Sequence, residues 1–165
     1  MFQVKPISRE SIPAALEKAE RYRLLNEPWL TESICSDILE ADPGNPKAIV
    51  TLLLAITDQF NTSYLGDVAH AKQLLSSLPG GYEREYYSGI ICERKGRSLL
   101  NKGRLESNFV SYEWLRDAME HYERAEAIRP AGNDDAILRW NTCVRLITHH
   151  RLEPRQEEYM EPPLE

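Results

Sequence analysis

Residues 118–130 read Ala118-Met119-Glu120-His121-Tyr122-Glu123-Arg124-Ala125-Glu126-Ala127-Ile128-Arg129-Pro130. Ala118, Tyr122 and Ala125 recur at the spacing that puts side chains on one helical face, and Glu120 stands one turn before Arg124 on another. Two small residues on a face let a neighbouring helix come close, and the tyrosine between them is large enough to fill the gap that remains. Pro130 cannot continue the helix. The stretch therefore predicts a helix over about 111–128 that also carries Trp114 and Leu115, closed by the turn Pro130-Ala131-Gly132-Asn133.

The same period recurs in both directions, and nowhere do apolar and polar residues alternate long enough for a half-buried strand, so the chain is expected to be all-α. Towards the N-terminus lie predicted helices over 11–25, 29–41, 47–60, 66–77 and 82–101, with a loop over 102–108. Asn26-Glu27-Pro28, Asp42-Pro43-Gly44-Asn45-Pro46 and Pro79-Gly80-Gly81 punctuate them. Asn45 is placed to cap the third helix, with Pro46 in its first turn. That helix is apolar around most of its circumference (Ile49, Val50, Leu52, Leu53, Leu54, Ile56), which makes it the central one. Towards the C-terminus, Asn133 with Asp134 and Asp135 offers a cap and two carboxylates to a seventh helix over 136–150.

The punctuation is periodic. Pro43 and Pro79 are 36 residues apart, and Pro79 and Pro130 are 51 apart, close to one and to one and a half periods of a repeat of about 34 residues. On this spacing, and on Ala118-x3-Tyr122, Ala125, Ile128 and Pro130 with Gly89-x2-Cys92 and Gly96 in the helix before, the chain resembles the tetratricopeptide repeat (TPR) family. Ala19-x2-Tyr22 and Pro43 fit a first unit, though Thr31 and Cys35 replace its usual alanine and aromatic. In the second unit Ala55 and Gly66-Asp67 fit, but Asp58 stands where the family has an aromatic.

The resemblance implies a right-handed α-α superhelix of about three TPR-like helix pairs over 11–150, with the seventh helix as a C-terminal cap, a short N-terminal arm over 1–10, and a tail over 151–165. It further implies a concave face made by the first helix of each pair: Leu16, Glu20 and Arg23, then Leu53, Ile56 and Phe60, then Glu83, Tyr87, Ile90 and Arg94. Such a face receives a peptide or helix of a partner protein, and Phe60 and Tyr87 are the expected aromatic anchors. Some members hold a partner's C-terminal carboxylates in a Lys/Asn/Arg clamp. The matching positions here, Leu16, Glu20, Leu53, Glu83 and Tyr87, cannot supply one.

Charge and composition narrow the function classes. The chain carries 20 Lys+Arg against 26 Asp+Glu, a net of −6, which argues against a general nucleic-acid or anionic-membrane binder. Residues 151–165 hold half of that net charge together with Pro154, Pro162 and Pro163, and read as a flexible tail. Against the overall sign, Arg94, Lys95, Arg97, Lys102 and Arg104 form a basic segment able to meet an acidic partner. The longest apolar stretch, 48–56, is far short of a membrane span and is broken by Thr51. The first ten residues have no apolar core of signal length, so a cytoplasmic protein is expected.

Cys35, Cys92 and Cys143 are odd in number, far apart and set among apolar residues, which predicts buried thiols rather than ligands or nucleophiles. His149 and His150 are adjacent, not one turn apart, and read as part of a solvated last turn. His70 and His121 are isolated. No metal, dinucleotide or phosphate-loop motif is present, so no cofactor and no catalysis are expected. The leading expectation is a non-catalytic interaction scaffold for a protein or peptide partner. A small-ligand or enzyme site in the apolar centre around Leu53, Ile56, Tyr86 and Tyr87 is a second reading, and a self-associating module a third.

Overall fold

The computed structural model describes residues 2–62, 68–100, 102 and 104–155. Among them there are seven α-helices and no strand: α1 (Ile12–Leu24), α2 (Pro28–Ala41), α3 (Pro46–Asp58), α4 (Val68–Leu75), α5 (Gly81–Leu100), α6 (Leu105–Ala127) and α7 (Asp135–His150). The all-α expectation holds. A 3-10 turn, Arg9–Ser11, leads into α1, and Ile7 before it packs on the core, so the expected N-terminal arm is partly folded against the body.

Local chemistry sets most of the boundaries. Asn45 caps α3, its Oδ1 accepting the Ala48 amide at 3.0 Å, with Pro46 in the first turn. Such a cap contributes about 1 kcal/mol. Asn133 Oδ1 accepts the Asp135 amide at 3.0 Å and the Tyr82 hydroxyl at 3.3 Å, tying the entry of α7 to α5. Asn26 takes the left-handed conformation (φ 61°) between α1 and α2, and Arg151 does so (φ 50°) at the end of α7.

Most helix ends shift by one or two residues from expectation, and three differences at the element ends have a local reason. α6 starts at Leu105, within the stretch read as a loop over 102–108. Ser107 and Asn108 are weak helix formers, but Glu106 in the first turn complements the positive helix end. The described part of α4 runs from Val68 to Leu75, after which i→i−3 hydrogen bonds from Ser76, Ser77 and Leu78 tighten the chain into the Pro79 turn. Residues 66 and 67 lie outside the described residues. Leu152, read as part of the tail, is buried among core residues of α5, α6 and α7, and Arg155 pairs with Glu106. The fold thus continues past α7, while residues 156–165 of the expected tail lie outside the described residues.

Each helix packs on its neighbours in sequence, and α1 also meets α3 as α3 meets α5. One core joins α5, α6 and α7 around Ile90, Leu115, Met119 and Tyr122; a second joins α1 to α5 around Ala19, Cys35, Leu53, Ile56 and Ile91; Leu54 and Tyr87 touch both. α3 is central, as expected, burying Ala48, Ile49, Thr51, Leu52, Leu53, Ala55, Ile56 and Thr57. The α5–α6 contact is close because both sides are small where they cross. Ala118, Tyr122 and Ala125 are fully buried, and a Cβ on Gly89 would lie 2.4 Å from the Tyr122 ring. A Cβ on Gly96 would stand 3.2 Å from the Ser111 carbonyl oxygen, and the Ser111 hydroxyl donates to the Gly96 carbonyl at 2.8 Å.

Candidate functional site

The C-terminal ends of α3, α5 and α7 converge around an open cleft of about 390 Å³. Thr57, Asp58, Phe60 and Asn61 line it from the end of α3, Arg94, Arg97 and Leu100 from α5, and Leu146 and His150 from α7. The volume lies within the range of about 300–1,000 Å³ usual for ligand clefts, but such clefts are mostly apolar and this wall is mostly polar and charged.

Two carboxylates organise the charges. Asp58 stands between two arginines: Arg23 Nε lies 2.8 Å from Oδ2, and Arg94 Nη1 donates to Oδ1 at 2.6 Å. Arg94 also donates to the Leu54 carbonyl at 3.0 Å and to Thr57 Oγ1 at 2.6 Å. A guanidinium on the free carbonyl end of α3 opposes the partial negative charge there. Burial pushes the Arg94 pKa below its ordinary value, and Asp58 resists that shift. Glu93, whose side chain is 0% exposed, is the second carboxylate. It accepts the Tyr122 hydroxyl at 2.7 Å and Arg139 Nη1 at 3.3 Å, with Arg97 Nη1 at 3.7 Å. A carboxylate this deep is tolerated only when paired and hydrogen-bonded, and here both oxygens are engaged.

The residues expected to form a binding face separate into two groups. Leu53, Ile56, Phe60 and Ile90 are all buried, with exposures of 0%, 4%, 5% and 1%. Phe60 nevertheless lines the cleft, and the Lys95 ammonium sits 6.0 Å from its ring centroid. Tyr87 is half-buried, its ring edge-on to Tyr86 at 5.2 Å, and Glu83 is exposed near the other end of α5. Arg94 lies in the cleft wall but is held by α3. Of the expected set, the cleft brings together only Phe60 and Arg94.

Seven cleft residues, Thr57, Asp58, Asn61, Arg97, Leu100, Leu146 and His150, lie outside the set expected from the sequence. Asp58 drew notice only as a departure from a repeat pattern, and that departure was its signal: a charge in the last turn of an otherwise apolar helix. Arg97 was visible as part of the basic segment. His150 read as solvated, and nothing local marks Leu146, since the cleft is made by helices far apart in sequence.

The three cysteines are buried, and burial pushes their thiols up, Cys35 to about 12, Cys92 to about 11 and Cys143 to about 12. His121 is not isolated: Nδ1 lies 2.7 Å from Glu85 Oε2, and Arg124 Nε donates to the same oxygen at 3.0 Å. Among the described residues no helix is long and apolar enough to cross a membrane. No family model, no curated protein and no solved structure matches this chain.

Proposed function

We propose that the protein is a TPR-like helical scaffold that binds a segment of a partner protein across the cleft on α3, α5 and α7. The observation that carries this reading is the packing order: consecutive helices pair, and α1, α3 and α5 meet one another in turn. Stacked helix hairpins produce such an order, each unit contacting only its neighbours. The Gly89–Tyr122 fit supports the same reading, since it is the small-residue and aromatic packing that the third repeat unit requires. α1 with α2, α3 with α4 and α5 with α6 are then the three pairs, and α7 is the cap.

The test is affinity capture from the native source, comparing the natural chain with a variant carrying Arg97→Gln and His150→Ala. Both residues are accessible and line the cleft; Arg97 gives up its 3.7 Å contact with the buried Glu93, which keeps Tyr122 and Arg139. Loss of a specific captured protein supports the reading; a capture that is unchanged places the interaction elsewhere and rejects this cleft.

A further inference from the structure

We infer that the cleft is a receptor for an acidic peptide segment, one that offers two or more Asp or Glu side chains flanking an apolar residue. The inference rests on the scaffold reading and names the chemistry of the partner. It begins from a charge imbalance fixed in the fold. Asp58 is shared by Arg23 and Arg94, and Glu93 by Arg97 and Arg139, so two carboxylates meet four guanidinium groups. Two formal positive charges are left over within the network.

The basic segment around the end of α5 adds to that excess. Lys95 lies against Phe60, and Lys102 and Arg104 directly follow the cleft-lining end of α5, both exposed. Among the described residues none of these three pairs with a carboxylate. The partial charges of three helix C-termini oppose them with roughly −1.5 in all. Five formal charges, two in the network and three in the adjoining basic segment, exceed that amount. A protein of net charge −6 therefore carries a local positive excess beside this cleft.

The geometry selects the ligand's form. Arg97 keeps 53% of its side chain exposed, and its contact to Glu93 at 3.7 Å is the longest made by that carboxylate. Its planar fork is thus available for a carboxylate in two-point contact. Phe60, Leu100 and Leu146 give the same cleft an apolar floor, which suits a side chain placed between the acidic ones. A single-stranded polynucleotide could satisfy the charge and stack on Phe60, so RNA is the competing ligand in the test.

The experiment is fluorescence polarisation of the full chain with three labelled probes: a twelve-residue peptide with Glu flanking a central Leu, its Gln counterpart, and a ten-nucleotide single-stranded RNA. The Glu peptide is expected to bind at least about tenfold more tightly than the Gln peptide and to weaken as salt rises. Arg97→Gln should reduce its affinity about tenfold, and so should Lys102→Glu with Arg104→Glu, which changes exposed residues and leaves the buried network intact. Arg21→Glu, on α1, should leave it unchanged. Equal binding of the Glu and Gln peptides, or tighter binding of the RNA, overturns the acidic-peptide inference. Affinity unaltered in both cleft variants does so too. A Gln peptide that binds and is lost in Arg97→Gln would leave the scaffold reading standing while the acidic preference falls.

Discussion

The three cysteines show how far a single residue's surroundings can be anticipated. Their apolar neighbours predicted burial, and each is buried with its thiol raised to about 11 or 12. A thiol whose pKa is higher when folded favours the folded state fully below the unfolded value, near 9, and loses that advantage as pH rises through 11 to 12. Stability to urea should accordingly fall as pH is raised from about 9 to 11. Replacing the three cysteines by alanine or serine should flatten that fall, as unfolding midpoints across the pH series will show. At pH 8 a disulfide-exchange reagent should modify none of the three until the chain unfolds. Glu93 marks the opposite limit. A glutamate in a helix reads as surface, and its partners Tyr122 and Arg139 lie 29 and 46 residues away, so nothing local shows that it is buried.

At the scale of elements, α5 against α6 is the best-read contact. The small residues and the tyrosine that marked 118–130 do pack closely, and Gly89 and Gly96 complete the fit from the other side. Gly89→Ala tests it. In an open helix this change adds roughly 1 kcal/mol through propensity, but here the new methyl would meet a buried ring at 2.4 Å. Overpacking of this kind costs about 1–3 kcal/mol. Denaturant unfolding should show a net loss of stability. Element ends were harder to read than element faces. α6 begins inside the expected loop because helix entry depends on one acidic residue and on packing, neither of which has a period.

For the whole molecule, the number of helices and their order were legible from period and punctuation, whereas the cleft was not. The faces that were read as open, at Leu53, Ile56 and Ile90, are turned into the core, because apolar spacing shows that a face is covered without saying by what. The charges at the helix ends, which have no period, form the wall instead. Arg94 is the polar link from α5 back to α3 and so connects the two cores. Arg94→Ala should cost about 1–3 kcal/mol, the usual loss where a buried charged hydrogen bond is removed. Hydrogen exchange resolved by helix should show α2 and α3 losing more protection than α6 and α7. A uniform loss across all helices would mean that the two cores unfold as one.

The return of the chain past α7 has a practical consequence. Because Leu152 is buried and Arg155 is pinned to Glu106, position 155 stays beside the first turn of α6, near the end of α5 that borders the cleft. The three native thiols are shielded, so Glu153→Cys, exposed between the buried Leu152 and the Arg155–Glu106 pair, would supply a unique attachment point for a paramagnetic or fluorescent tag. A reporter there would watch the cleft fill from a fixed distance, without touching any residue of its wall.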